Sequence, residues 1–271
     1  DLVILGGGPG GLRAAELAAA AGMNTVLVEK DRLGGVCVNS GCIPTKALYA
    51  SIIGGKGPRE GLWSRVESVV DKLRQGSATS LRMAGVKYLR GTGRVTRWEG
   101  VKGVSVTKAD GSVEEIAGAR LLLATGARSV RPPFRGGDLP GILTGDKAIT
   151  EPSLWDPERN SPVKTVAILG AGVIAVEMAS LLQGLGKEVV LLKRSDQVLR
   201  RMDGDIKKKT VQILKKRGTM IKDHVRLREA SLKEGRLSLE GTAGDDPFVV
   251  ACDRLIIASS MEPVLDGFGL E

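Results

Sequence analysis

The sequence is poor in the residues that build metal sites, disulfide scaffolds and base-stacking surfaces. Its 271 residues include one histidine and three cysteines. These numbers leave almost no material for a histidine-based zinc site and cannot supply a disulfide scaffold in a chain of this length. Aromatic residues make up 3% of the chain, so the stacking platforms of single-strand nucleic-acid binders are hard to build. We therefore expect neither a metal nor a nucleic-acid partner.

Long apolar runs are also missing. No apolar stretch approaches the roughly 18 to 20 residues that a membrane-spanning helix requires. Hydrophobic residues make up 42% of the chain and charged residues 26%, which is close to the usage of globular proteins. The length predicts one large or two ordinary domains. We expect a soluble, cytoplasmic protein with no membrane partner.

The excess of positive charge lies in one region. The formal net charge is +9, from 40 basic and 31 acidic residues. The segment Lys187–Arg236 alone contains 16 basic and 7 acidic residues and so holds the whole excess. Lys207–Lys209 and Lys215–Arg217 lie on an amphipathic helical stretch, where a solvated face is the simpler interpretation.

A glycine-rich turn follows the first apolar strand, Leu2–Leu5, and precedes an alanine-rich helical pattern. The glycines that fit a dinucleotide-binding fingerprint are Gly6, Gly8 and Gly11. In such a unit the first glycine makes the tight turn, the second lets backbone N–H groups approach a pyrophosphate, and the third allows close helix packing. A second strand, Thr25–Val28, ends at Glu29. This carboxylate is placed to accept a hydrogen bond from a ribose hydroxyl.

The same pattern recurs in the second half of the chain, where the apolar strand Val166–Leu169 precedes another turn, a helix and the strand Val189–Leu192. The turn residues that fit the fingerprint are Gly170, Gly172 and Ala175. One such turn is a weak signal, but two copies with the same spacing are a strong one. They predict an α/β fold with two Rossmann-like three-layer (ββα-type) domains built on largely parallel sheets.

The residue at the end of the second strand differs in charge between the two copies. Lys193 occupies the position equivalent to Glu29, and Arg194 follows it. A carboxylate there would repel the 2′-phosphate of NADP, whereas Lys193, Arg194 and Arg200 could pair with it. The first site is therefore predicted to bind an adenosine with a free ribose, and the second to favour NADPH. The alternative is that Lys193 and Arg194 form a solvated strand end.

Two cysteines, Cys37 and Cys42, follow directly after the first nucleotide unit. A disulfide between them would close a small ring worth only about 2 kcal/mol in chain entropy, so redox chemistry is a better explanation than structural stapling. Pro44 predicts the first turn of a helix, and a helix N-terminus favours a thiolate. The alternative is a pair of ordinary buried cysteines. Cys252 lies in an apolar strand and is expected in the core.

Several segments together carry a resemblance to a known family. They are GGGPGG, LVEK, GGVCVNSGCIPTKAL, LLLATGA and GAGVIAVEMASLL. The chain, from Asp1 to about Ala258, resembles the pyridine nucleotide-disulfide oxidoreductases, the flavoprotein group of dihydrolipoamide dehydrogenase, glutathione reductase and mercuric reductase. The segment GGVCVNSGCIPTKAL, which we call the dithiol segment, is most similar to dihydrolipoamide dehydrogenase. The second half is more similar to the glutathione reductases that use NADPH.

The resemblance implies two cofactors, FAD at the first glycine turn and NADPH or NADH at the second. The residues that would hold FAD are Gly6, Gly8, Pro9, Gly11, Glu29, Lys30, Gly35, Thr125 and Gly126. The residues that would hold the nicotinamide cofactor are Gly170, Gly172, Ala175, Lys193, Arg194 and Arg200. Hydride would pass from NAD(P)H to N5 of FAD, and reduced flavin would open a disulfide between the two cysteines.

The resemblance also implies a role for each catalytic residue. Cys42 would face the flavin and form the charge-transfer thiolate, while Cys37 would exchange with a small-molecule or protein-bound disulfide substrate. Lys46 would pair with Glu177 near flavin N5. A buried cation there would stabilise the reduced flavin, and it would need a partner because an unpaired buried charge is costly.

The expected organisation is an FAD-binding domain at residues 1–155 and an NAD(P)-binding domain at 156–271. The first would contain a hairpin insertion over Val95–Ile116. A loop over Arg128–Gly141, and then Glu151–Pro162, would link it to the second. Members of the family are homodimers whose C-terminal interface domain supplies an acid–base pair. The leading hypothesis is an FAD-dependent NAD(P)H disulfide oxidoreductase similar to dihydrolipoamide dehydrogenase, and the alternative is an NADPH-dependent reductase of the glutathione or mercuric reductase type. The chain stops at Glu271, before the interface domain, so a third hypothesis is a truncated nucleotide-binding fragment that keeps the fold but does not turn over. The family's closing GRxPN segment is also altered, at Ser260, Met261 and Val264.

Overall fold

The structure is a computed structural model that describes residues 1–55, 60–97, 99–156 and 163–269. The helices are α1 (Pro9–Ala20), α2 (Gly35–Ser40), α3 (Cys42–Ile52), α4 (Leu62–Met83), α5 (Gly145–Ile149), α6 (Pro152–Trp155), α7 (Val173–Gly184) and α8 (Gly204–Lys216). The strands are β1 (Leu2–Leu5), β2 (Thr25–Glu29), β3 (Lys87–Arg90), β4 (Thr92–Arg97), β5 (Lys102–Thr107), β6 (Val113–Gly118), β7 (Arg120–Leu123), β8 (Ala127–Val130), β9 (Ile142–Thr144), β10 (Thr165–Leu169), β11 (Glu188–Leu192), β12 (Met220–Lys222), β13 (Val225–Lys233), β14 (Arg236–Ala243), β15 (Asp246–Cys252), β16 (Arg254–Ile257) and β17 (Ser260–Pro263). Among the described residues, none of these helices is long and apolar enough to cross a membrane.

The chain divides into two compact units, and their boundaries differ from the expected one at residue 155. The first unit comprises Asp1–Pro44, Glu67–Arg128 and Glu262–Glu271, and the second comprises Thr45–Val66 and Ser129–Met261. Residues 129–155 belong to the second unit because β9 pairs with β16 in its sheet. Part of the expected linker, residues 157–162, lies outside the described residues.

The first unit is built on a parallel sheet of four strands in the order β3-β2-β1-β7. Alternate side chains of its strands enter two different cores, as the two-residue period of a strand requires. Ile4 and Leu27 pack with residues of α1 and α4 on one face. Val3 and Val28 pack against the antiparallel β4-β5-β6 sheet on the other. These three layers confirm the predicted architecture, and the predicted hairpin is part of that smaller sheet.

The second unit repeats this plan around a parallel sheet of five strands in the order β12-β11-β10-β16-β9. Val166 and Leu191 face a helical layer that includes α7. Ala167 and Leu192 face the antiparallel β13-β14-β15 sheet. Both parallel sheets are thus covered on both faces, which explains why β1 and β10 are continuous apolar runs rather than alternating ones.

Candidate functional site

The first glycine turn has the backbone geometry that the fingerprint predicts. Gly6 has a φ of 110°, and a Cβ there would collide with the carbonyl of Ala124. A Cβ on Gly11 would collide with the carbonyl oxygen of Gly6, so glycine is needed for α1 to pack this close to the turn. Gly8 precedes α1, and Pro9 is its first residue, where a missing N–H costs nothing. The N-terminus of α1 is therefore formed as an anion-binding turn requires.

Glu29 ends β2 and its carboxylate is held at the same turn. One carboxylate oxygen accepts a hydrogen bond from the Gly7 N–H at 2.7 Å, and the other accepts one from the Asp31 N–H at 2.8 Å. Backbone groups thus fix the carboxylate beside the glycines. Glu29 also lines a cavity together with Gly6, Lys30 and Thr125. The structure therefore gathers four of the residues predicted for the first nucleotide.

Thr125 and Gly126 follow β7 and meet the C-terminal segment of the described chain. The Thr125 hydroxyl donates to the Val264 carbonyl at 2.7 Å, and the Val264 N–H donates to the Gly126 carbonyl at 3.0 Å. Val264 stands where the resemblance led us to expect asparagine, and its backbone alone makes both contacts. The closing segment therefore contacts Thr125 and Gly126 without the side chain of residue 264.

The dithiol segment lies directly against the first glycine turn. The Gly34 N–H donates to the Gly7 carbonyl at 2.8 Å. A Cβ on Gly35 would come within 2.8 Å of the Gly8 Cα, so no other residue fits there without moving the backbone. The two glycines at the start of the dithiol segment are therefore needed for its close approach to the first glycine turn.

The three cysteines differ in exposure. Cys37 lies half-buried in α2, and the exposed Cys42 is the first residue of α3, which agrees with the predicted helix start. Cys252 is fully buried in the second unit, as predicted, and burial raises the pKa of its thiol to about 12.

Asn39 and Arg74 are functional candidates that the sequence did not reveal. The Asn39 amide donates to the Gly35 carbonyl at 2.8 Å and to the Leu33 carbonyl at 3.1 Å, which ties the end of α2 back to its start. The Arg74 guanidinium, on α4, donates to the Asn39 side-chain oxygen at 2.5 Å. The polar Asn39 between the two cysteines was a visible signal. Its partner 35 residues away could be found only from the fold.

The second glycine turn matches the first in backbone but not in every side chain. A Cβ on Gly170, which has a φ of 138°, would collide with the Ala258 carbonyl. A Cβ on Gly172 would meet nothing within 4 Å, which leaves the backbone open to a ligand. Ala175 is fully buried in α7. Gly172 also lines a cavity with Val173, Ala258 and Met261.

Lys193 does not lie where the phosphate-binding hypothesis requires. Its side chain is only 2% exposed, and its ammonium contacts the Asp223 carboxylate at 2.8 Å and the Ser195 carbonyl at 2.9 Å. A lysine with two acceptors inside the protein is not directed at a ligand outside it. This placement corrects the expectation that Lys193 would face the cofactor, and it also excludes a solvated strand end for this residue.

Arg194 and Arg200 are both exposed, in contrast to Lys193. The loop that carries them is tied to the second glycine turn, because the Leu199 N–H donates to the Ala171 carbonyl at 2.8 Å. At its other side, Lys207 of α8 contacts the Gln197 side chain at 3.3 Å. The loop that carries these two exposed arginines is thus attached to the second glycine turn through its backbone.

Lys46 and Glu177 form the ion pair that the resemblance implies. The Lys46 ammonium lies 2.6 Å from a Glu177 carboxylate oxygen, and α3 and α7 supply the two side chains. The expectation of a buried cation is not met, because the Lys46 side chain is 60% exposed while that of Glu177 is 28% exposed. Lys46 follows Cys42 by four residues on α3, which places both on one face of that helix.

Comparison with known proteins places this chain in a family. The family model described as pyridine nucleotide-disulphide oxidoreductase matches residues 1–270. The chain is 33% identical to the mitochondrial dihydrolipoyl dehydrogenase of Canis lupus familiaris and 33% identical to the glutathione reductase of Burkholderia cepacia. Each alignment covers 100% of this chain, and the chain spans 56% and 59%, respectively, of those relatives.

A solved structure supports the same assignment. The chain is similar to the HOCl-induced flavoprotein disulfide reductase RclA from Escherichia coli, solved as a Cu(II) complex, with a TM-score of 0.86 and 27% sequence identity. The match covers 99% of this chain and 58% of that one. This agreement confirms the predicted pair of Rossmann-like domains. The chain belongs to the pyridine nucleotide-disulphide oxidoreductase family.

Proposed function

We propose that this chain forms the nucleotide-binding and dithiol-bearing part of an FAD-dependent NAD(P)H disulfide oxidoreductase of the dihydrolipoamide dehydrogenase type. The observation that carries the proposal is the seating of the dithiol segment on the first glycine turn, through Gly34 and Gly35. A dinucleotide bound at that turn would lie next to the segment that holds Cys37 and Cys42.

The first unit has backbone hydrogen-bond donors and a cavity that suit FAD. The turn offers backbone N–H groups and the N-terminus of α1 to a pyrophosphate. The Glu29 carboxylate lines the cavity beside it and can accept hydrogen bonds from ribose hydroxyls. When bound, FAD would supply two-electron chemistry between a nicotinamide and a disulfide. Gly8, Pro9, Gly11, Lys30, Gly35, Thr125 and Gly126 complete the set of residues proposed to hold it.

The roles proposed for the protein groups follow from their positions. Cys42, the first residue of α3, would face the flavin, and Cys37 on α2 would exchange with the substrate disulfide. Glu177 would hold the Lys46 ammonium in one orientation through their 2.6 Å contact. The substrate is proposed to be a small-molecule or protein-bound disulfide, and the whole protein is proposed to act as a homodimer.

The second candidate is an NADPH-dependent reductase of the glutathione or mercuric reductase type. The exposure of Arg194 and Arg200 beside the second glycine turn favours it. Guanidinium groups bind phosphate through paired hydrogen bonds, so these two residues, rather than Lys193, are proposed to recognise a 2′-phosphate. In either candidate the backbone at Gly172 would receive the pyrophosphate, with Gly170 making the tight turn and Ala175 packing α7 against it.

A visible absorption spectrum of the purified protein tests the proposal. We expect flavin bands, directly or after reconstitution with FAD, and long-wavelength absorbance when NADPH is added without oxygen. That absorbance should vanish in Cys42→Ser while the flavin bands remain, because the thiolate beside the cofactor is lost. A protein that takes up no FAD, or whose reduced spectrum does not depend on Cys42, would overturn the proposal.

A further inference from the structure

Two side chains hold the segment that bears Cys37. Asn39 belongs to that segment, and Arg74 lies on α4. The Asn39 amide donates to the carbonyls of Leu33 and Gly35. It also reaches the Arg32 carbonyl at 3.4 Å. These hydrogen bonds connect the last turn of α2 to its first turn and to the loop before it. Cys37 lies between the connected parts.

Arg74 decides which way the Asn39 side chain faces. A guanidinium only donates hydrogen bonds, so the Arg74 Nε must meet the oxygen of the Asn39 amide. The NH₂ group is then left to face the loop carbonyls. The Arg74 side chain is itself 23% exposed and is fixed by the Asp71 carboxylate one turn earlier on α4, at 2.6 Å. We name the Asn39–Arg74 pair the amide clamp.

We propose that the amide clamp is a positioning device that sets the stability of the Cys37–Cys42 disulfide. This proposal rests on the proposed function, in which the two cysteines form a redox pair. Neither clamp residue need touch the cofactor or the substrate. Both act through the backbone of residues 32–39, which fixes where the Cys37 thiol lies.

The direction of the effect follows from chain entropy. A disulfide is favoured when the reduced segment is already restricted, because little conformational freedom is then lost on closing the ring. Without the clamp, the reduced segment samples more conformations and the disulfide becomes less favourable. The Cys37–Cys42 couple should then be easier to reduce.

Three variants test this proposal. Arg74→Met removes the donor that orients the amide but keeps a long side chain. Asn39→Asp keeps an acceptor for Arg74 and adds an opposite charge, but it cannot donate to the carbonyls of Leu33 and Gly35. Arg82→Met is the matched control, because Arg82 is an exposed arginine in the last turn of the same helix.

The first measurement is the equilibrium between the dithiol and the disulfide in glutathione buffers. Oxidised glutathione takes two electrons and two protons from Cys37 and Cys42 and leaves as two reduced molecules, so mass spectrometry after acid quenching counts the disulfide. We expect Arg74→Met and Asn39→Asp to lower the equilibrium constant for disulfide formation by about tenfold, which is a rise of about 30 mV in potential. Arg82→Met should match the unmodified protein.

The second measurement is the rate at which iodoacetamide alkylates the reduced protein at each cysteine. We expect the Cys37 rate to rise relative to the Cys42 rate in both clamp variants. In the Asn39→Asp protein Arg74 keeps an acceptor at residue 39, so a shifted potential there reports the lost hydrogen bonds to the loop carbonyls rather than the loss of the Arg74 contact. Unchanged potentials and unchanged rate ratios would overturn the clamp.

The two proposals fail in different ways. If the unmodified chain forms no Cys37–Cys42 disulfide at any glutathione ratio, the proposed function is overturned, and the alkylation ratios still decide whether the clamp holds Cys37. If the disulfide forms but the variants match the control in both measurements, the clamp alone is overturned.

Discussion

The two glycine turns share one backbone plan but treat the residue that ends their second strand in opposite ways. The Glu29 carbonyl accepts from the Gly91 N–H, and the Lys193 carbonyl accepts from the Val225 N–H, each at 2.9 Å. The backbones are thus placed alike. The Glu29 side chain turns to the glycine turn, whereas the Lys193 side chain turns inward to Asp223.

The reason for this difference is the chemistry that a glycine turn offers. Such a turn presents N–H donors, which a carboxylate can accept and an ammonium cannot. Lys193 therefore finds its acceptors elsewhere, at Asp223 and Ser195. The comparison teaches that reversing the charge at this position does not by itself reverse what the site binds, because it also reverses where the side chain goes. We therefore propose that a 2′-phosphate is recognised by the residues that follow Lys193.

The largest effect is expected when Lys193 of the second unit is replaced by glutamate, the residue that the first unit has at the equivalent position. Lys193→Glu places a carboxylate in a site that is 2% exposed, beside Asp223. We expect it to lower the free energy of unfolding by about 3 to 5 kcal/mol, since a buried charge without a partner is that costly. Lys193→Met, which keeps the apolar stem, should cost less than half as much. Urea denaturation measures both, and equal stabilities of the two variants would contradict the buried pair.

A smaller effect is expected at the third fingerprint position, where the first unit has glycine and the second has alanine. Gly11→Ala forces a Cβ onto the Gly6 carbonyl, and such overpacking costs about 1 to 3 kcal/mol. Gly10→Ala is the matched control, because a Cβ there meets nothing within 4 Å and should stabilise α1 by about 0.5 to 1 kcal/mol. Denaturation midpoints that move in the same direction for both variants would show that α1 does not pack on the turn as described.

Much of this fold could be predicted because its signals are local. The strand, turn and helix around Gly6 and Gly170 are encoded within about 25 residues, so spacing alone identifies both units. The helix start at Cys42 follows in the same way from Pro44. The boundary between the two units could not be predicted from local sequence, because β9 joins the sheet of the second unit by pairing with β16, more than 100 residues later.

The parts of the site that escaped prediction depend on contacts between distant residues. Nothing in the sequence near Lys193 shows that Asp223, on the loop after β12, would bury its ammonium. Arg74 is one of several charged residues on the amphipathic α4, and only the fold brings it to Asn39. The exposure of Lys46 is likewise a property of the packed structure rather than of its motif.

The smallest effect is expected at Arg194 and Arg200. Replacing them tests whether these residues, rather than Lys193, recognise the 2′-phosphate. Arg194→Ala and Arg200→Ala should each weaken NADPH binding by about tenfold, because each removes a charge-assisted contact with a phosphate, and about 1.4 kcal/mol corresponds to that factor. NADH binding should stay the same, since NADH lacks the 2′-phosphate. Arg217→Ala, an exposed arginine at the other end of α8, is the control. Calorimetric titration at low and high salt measures all three, and the NADPH effects should shrink as salt screens exposed charges. Equal losses for NADPH and NADH would show that these arginines do not distinguish the cofactors, and the charge reversal between Glu29 and Lys193 would then have no counterpart in cofactor choice.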